Sequence, residues 1–113
     1  MSTQPVGRPT PLLGVRTYAR GGEAVLALAG ELDIQTMPAV ARRLAEVLEH
    51  QPRRLVFDLR ELSFMDSSGL RVFVLAHKQL AAGSRLVVRA PNQLIRRMLE
   101  ITGLDQICEI QTG

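Results

Sequence analysis

The chain has no tryptophan, one tyrosine, one cysteine, one lysine and two histidines among its 113 residues, and each scarcity removes a class of chemistry. A lone Cys108 cannot close an internal disulfide, so nothing calls for an oxidising compartment; its apolar surroundings predict a core position. His50, His77, the one cysteine and scattered carboxylates give no ligand spacing of the zinc type. The only lysine, Lys78, falls in the middle of a predicted helix, and neither G-x-x-x-x-G-K-S/T nor G-x-G-x-x-G occurs, which excludes a lysine-centred phosphate loop. Aromatics are limited to Tyr18 and three phenylalanines in apolar stretches, and the net charge of +3 is spread through pairs such as Arg42-Arg43, Arg53-Arg54 and Arg96-Arg97. A nucleic-acid surface gathers its charge on one face and adds stacking rings, so direct nucleic-acid binding is not expected. No stretch approaches the roughly 20 apolar residues of a membrane span. Residues 1–11 carry Arg8 and three prolines but no apolar run of signal-peptide length. The expected setting is cytoplasmic, without membrane contact.

What is present suffices for one core. Hydrophobic residues make up 46% of the chain and charged residues 22%, which at this length predicts one globular domain over residues 12–113 behind a flexible leader, residues 1–11. Leu13, Val15 and Thr17 alternate as in a strand over residues 12–18; Arg20-Gly21-Gly22 signals a hairpin into a second strand over 23–30. Glu31-Leu32-Asp33-Ile34 reads as the loop leaving it. Thr36 is predicted to cap a helix with Pro38 in its first turn and Met37, Val40, Ala41, Leu44, Val47 and Leu48 on one face. After Gln51-Pro52, residues 54–59 read as a buried parallel strand whose Asp58 satisfies loop amides at its end. A short turn leads to a second helix with Leu70, Phe73, Val74, His77, Leu80 and Ala81 sharing a face and Gly83 as its stop. A strand over 85–90, a third helix opened by Pro91-Asn92 with Leu94, Ile95, Met98 and Leu99 on one side and closed by Gly103, and a short strand over 107–110 complete the chain. The order β-β-α-β-α-β-α-β predicts an α/β fold: a mixed four- to five-stranded sheet with three to four α-helices packed mainly on one face, joined by right-handed crossovers.

Asp66-Ser67-Ser68-Gly69-Leu70 opens the second helix directly after the central strand. Unpaired N–H groups and the helix dipole favour negative charge at such an end. A serine placed there either caps the helix or carries a phosphate, and the residues alone leave both open. Nucleophilic catalysis needs a base within reach, yet His77 stands ten residues along the same helix from Ser67, roughly 15 Å away. No G-x-S-x-G elbow exists. A phospho-aspartate site built on Asp58 and Asp66 would need an acidic metal pocket and a lysine near a strand end, both lacking. The protein is therefore expected not to be an enzyme.

The motif, preceded by Leu62-Ser63-Phe64-Met65, resembles the signature of the STAS domain in bacterial anti-sigma factor antagonists. Gly30-Glu31-Leu32-Asp33 resembles that family's turn after the second strand, Leu55-Val56-Phe57-Asp58-Leu59 its central strand, and Leu99-Glu100-Ile101-Thr102-Gly103-Leu104-Asp105 the end of its third helix. Four segments in order, spanning residues 12–111, make the likeness specific. The resemblance implies a protein that, unphosphorylated, binds an anti-sigma factor that is also a serine kinase and so frees a sigma factor. The kinase then phosphorylates the serine after the motif aspartate, Ser67, and the complex dissociates; a metal-dependent serine/threonine phosphatase reverses this. Asp33 and Asp66 map to the family's two aspartates beside the phosphosite, with Ser68, Gly69 and Leu70 completing the setting and partner surface. ATP and metal would belong to the kinase, so no cofactor is expected, and the domain is expected as a monomer or weak dimer.

Each residue also has a plainer reading. Ser67 alone could be an N-cap, Ser68 a first-turn residue or the acceptor in second place, Asp33 a turn residue, and Gly69 a point of close approach for kinase backbone. Arg71 by default is solvated surface, and His77 packs on the core face. A scaffold or ligand-sensing relative of the same fold, or a small serine hydrolase, are the rival functions.

Overall fold

A computed structural model describes residues 12–112, so the predicted leader lies outside the described residues. Strands β1 (Leu13–Arg20) and β2 (Glu23–Leu32) form an antiparallel hairpin, and Gly21 and Gly22 turn it with φ of 55° and 84°. A two-residue turn with both central residues at positive φ matches the twist of the strands it joins, which is why the glycine pair sits there. Helix α1 (Met37–Leu48) then leads to β3 (Arg54–Met65), α2 (Ser67–Gln79) to β4 (Arg85–Arg89), and α3 (Gln93–Ile101) with the 3-10 turn Leu104–Gln106 to β5 (Glu109–Gln111). The sheet order is β1-β2-β3-β4-β5, antiparallel at the hairpin and parallel thereafter. The fold is thus the expected α/β one, with five strands and three α-helices among the described residues.

Alternation along the strands sorts the two faces. Leu26, Leu28, Leu55, Phe57, Leu59 and Val88 share one continuous core with Val40 and Leu44 of α1, Val72, Phe73 and Ala76 of α2, and Ile95 and Leu99 of α3. All three helices therefore pack on one face. Phe57 and Phe73 meet edge to face, with ring centroids 5.0 Å apart, at its centre. On the other face Val25, Val56 and Val87 form a separate fully buried row, although no helix among the described residues covers it. Arginine and glutamate stems flank the valines there: Arg54 reaches Glu23 at 3.5 Å and Glu109 at 3.9 Å, Arg89 reaches Glu23 at 3.8 Å, and Arg85 pairs with Glu109.

Several boundaries differ from the sequence reading. Strand β2 continues through Glu31 to Leu32 rather than leaving as a loop after Gly30, and β3 continues past Leu59 to Met65 instead of ending in a turn. The continuation runs through two register shifts: Ala27 pairs with Asp58 but Ala29 with Glu61, and Gly30 pairs with Leu62 but Glu31 with Phe64. Each shift places one extra residue on β3, a bulge that carries the strand onward to the start of α2. At the second, the Ser63 hydroxyl donates to the Gly30 carbonyl at 2.9 Å. Gly30 has φ of +112°, and a β-carbon there would stand 2.0 Å from the Leu12 carbonyl oxygen, which accepts from the Glu31 N–H. Helix α2 ends at Gln79, so Leu80 and Ala81 follow it and His77 is exposed rather than core-facing. Leu94, predicted to face inward, is 75% exposed, because the i, i+4 pair Ile95 and Leu99 already forms the inner stripe of α3. The last strand is Glu109–Gln111, with Cys108 buried just before it.

Candidate functional site

The motif lies where β3 ends and α2 begins. The Asp66 N–H donates to the Leu32 carbonyl at 3.1 Å, the last bond of the β2–β3 ladder, and keeps residue 66 extended (φ −102°, ψ −176°). An extended residue entering a helix is its N-cap, and the Asp66 Oδ1 accepts from the Ser68 N–H at 2.8 Å. The cap is therefore the aspartate. Ser67 is the first helical residue, exposed, and its hydroxyl makes no hydrogen bond among the described residues. Ser68 is half-buried with its amide engaged by the cap.

Gly69 and Leu70 turn inward. Gly69 is buried, and a β-carbon on it would stand 2.5 Å from Met65 Cγ and 2.9 Å from Leu32 Cγ, so its lack of a side chain serves the chain's own packing. Leu70 is half-buried against the core.

Beside this turn lies the β2–α1 loop, brought near by the Leu32–Met65 register pair. Asp33 is only 8% exposed. Its Oδ1 accepts from the Gln35 N–H at 2.9 Å and the Thr36 N–H at 3.1 Å. Thr36 does not cap α1: its hydroxyl points back, donating to the Glu31 carbonyl at 2.8 Å and accepting from the Asp33 N–H at 2.9 Å. Asp33 is the centre of this knot, and its carboxylate ties the loop beneath the motif.

Asp58 belongs elsewhere. It is in mid-strand, on the sheet face away from the helices, and not at a strand end as predicted. Burial pushes its carboxyl up, but hydrogen bonds from the Arg60 side chain and backbone, and the charges of Arg60 and Arg89, outweigh that and hold it below its ordinary range. Arg71, like His77, is exposed on α2. No group of three or more His, Cys, Asp or Glu side chains able to hold a metal occurs among the described residues.

Three exposed apolar residues at this end are not expected as a surface from the sequence, which places Leu94 on the inner side of its helix. Ile34 (66% exposed) follows Asp33, Phe64 (49%) precedes Met65, and Leu94 (75%) lies two residues after Asn92. Asn92 caps α3 by accepting from the Ile95 N–H and reaches over to the Leu62 carbonyl at 3.3 Å, which ties α3's first turn to the end of β3. The available signal was an isoleucine inside a polar loop and a leucine one position off the inner stripe of its helix.

The family model for the Mlab STAS domain matches residues 15–111. The chain belongs to the STAS domain family. It is 42% identical over 85 residues to an anti-sigma-B factor antagonist of Listeria monocytogenes, covering 74% of this chain and 75% of that protein. Among solved structures, an anti-sigma factor antagonist from Mycobacterium paratuberculosis superposes with a TM-score of 0.84 at 27% identity, over 89% of this chain and 86% of that one. The Bacillus cell fate determinant SpoIIAA in its phosphorylated form shares the fold at a TM-score of 0.70 and 21% identity, over 88% and 93% of the two chains. The motif residues of this STAS domain thus stand at one end of its sheet, on a helix start capped by Asp66 and beside the loop that Asp33 ties.

Proposed function

We propose that this STAS domain is an anti-sigma factor antagonist that binds an anti-sigma factor serine kinase when unphosphorylated, frees a sigma factor, and is switched off by phosphorylation of Ser67. The observation that carries the reading is the division of labour at the start of α2. Asp66 has taken the cap, so the Ser67 hydroxyl is exposed and unengaged at the first helical position. A kinase can therefore use it without unravelling the helix. Ser68 is the poorer acceptor, since it is half-buried.

The consequence of the phosphate follows from charge. It adds about −1.5 to −2 units at pH 7, which the helix N-terminus accepts and the Asp66 carboxylate opposes. At the same end of the sheet, a rim of Ile34, Phe64 and Leu94 is apolar and exposed, as befits a docking surface. A partner packed on that rim would have to desolvate the phosphate, so modification releases the partner while the domain stays folded. ATP and its metal are the kinase's, and a metal-dependent serine/threonine phosphatase restores the hydroxyl.

Incubation with the cognate kinase and ATP should add one phosphate by intact-mass spectrometry, and Ser67→Ala should abolish the gain. A gain undiminished in Ser67→Ala would move the acceptor elsewhere.

A further inference from the structure

We infer that Gly69 is a positioning residue, and that its missing side chain sets the depth at which the first turn of α2 sits on the sheet and hence where the Ser67 hydroxyl stands. The inference rests on Ser67 being the acceptor. Gly69 is the third residue of a helix, a position where glycine is a poor helix former, and it is not among the glycines with positive φ. Backbone freedom therefore does not explain it; space does. A β-carbon would meet Met65 Cγ at 2.5 Å, Leu32 Cγ at 2.9 Å and Leu32 Cδ2 at 3.1 Å. Leu32 and Met65 are register partners at the ends of β2 and β3, both buried in the core at 0% and 4% exposed, so any retreat disturbs the packing around them.

The same two residues anchor the turn from below. Asp66, next to Met65, is held by the Leu32 carbonyl, and the Gly69 N–H donates to the Asp66 carbonyl at 3.0 Å. Glycine at 69 lets the helix start close to this anchor. Carbon atoms rest about 3.5–4.0 Å apart, so a methyl at 69 must lift the first turn by on the order of 1 Å. A misplacement of that size at a reacting group can cost about 10²-fold in rate. Docking through Ile34, Phe64 and Leu94 depends less on the lift, because two of these residues belong to other elements and Ile34 to the loop knotted by Asp33.

The test is steady-state phosphorylation by the cognate kinase of wild type, Gly69→Ala, Met65→Ala and the double variant, with circular dichroism to establish folding. Gly69→Ala should lower kcat about 10-fold or more with KM within about threefold, and the double variant, which removes the shortest contact and opens room into which the Leu32 side chain can yield, should return kcat to within about threefold of Met65→Ala. Unchanged kcat in a folded Gly69→Ala, or a double variant as slow as Gly69→Ala, overturns the positioning role while leaving the acceptor intact. If Gly69→Ala does not fold, the double variant decides: kcat near that of Met65→Ala supports the role, and a loss of 10-fold or more overturns it. A wild type that takes no phosphate at Ser67 overturns the acceptor assignment and this inference with it.

Discussion

Replacing Asp66 separates the two services that a carboxylate performs at the start of α2. Its Oδ1 caps the helix by accepting from the Ser68 N–H at 2.8 Å, and its charge lies beside the Ser67 hydroxyl. Asp66→Ala removes both. Loss of an N-cap costs about 1 kcal/mol, within a range of about 0.5–2. With a urea slope of about 2 kcal/mol per molar, the unfolding midpoint should fall by about 0.5 M. In a domain of this size the melting temperature should drop by about 4–8 °C. Asp66→Asn keeps an acceptor oxygen at the same place and loses only the charge, so its midpoint should fall by less than half as much. Ser67→Ala is the control: an exposed hydroxyl without a partner should be worth no more than about 0.5 kcal/mol. The two Asp66 variants should diverge again after phosphorylation. In Asp66→Asn the phosphate no longer faces a carboxylate, so it should stabilise the domain more, or destabilise it less, than it does the wild type, and added salt should shrink that difference. Chemical unfolding of both forms by circular dichroism reads all of this. A wild-type midpoint in Asp66→Ala would refute the cap assignment, and Asp66→Asn as unstable as Asp66→Ala would show that charge, not the hydrogen bond, holds the turn.

Gly30→Ala should destabilise the domain by about 1–3 kcal/mol from the positive φ alone, and by more once the Leu12 carbonyl is displaced; urea unfolding measures it, and a loss below about 0.5 kcal/mol would contradict the close approach at that bulge. Because the folded-state pKa of Asp58 is lowered, its pairing with Arg60 contributes stability that is fully present above the ordinary carboxylate pKa near 4 and is lost as pH falls through the folded value. The stability gap between wild type and Asp58→Asn should therefore close in acid, and a gap that widens on acidification would reverse the sign. Burial, helped by the Asp105 charge, pushes the Cys108 thiol up to about 11, so in the native protein it should react with a disulfide reagent at pH 8 far more slowly than in urea. Equal rates in the two states would contradict its burial.

What the sequence made legible was local. The glycine pair of the hairpin, the helix start at Pro91-Asn92 and the apolar stripe of α1 are each decided within a few residues, and the structure repeats them. The errors occur where a distant segment decides. Arg60 and Glu61 break the apolar run of β3, so the strand reads as finished at Leu59. Pairing with β2 carries it six residues further through bulges, and no single-strand periodicity records a bulge. Thr36 and Asp33 are both good caps by type; the Glu31 carbonyl, at the unforeseen end of β2, takes the threonine hydroxyl and leaves the turn amides to Asp33. The motif is settled the same way. Asp66 and Ser67 are equally able to cap a helix, and nothing within the five residues ranks them. The Leu32 carbonyl ranks them, because its bond to the Asp66 N–H is the last rung of the parallel ladder and holds that residue extended. The next residue must then be helical, and its side chain, relieved of capping, points to solvent as a free hydroxyl. Extending β2 and β3 to the very edge of α2 is thus what gives the cap to Asp66 and leaves the Ser67 hydroxyl unengaged.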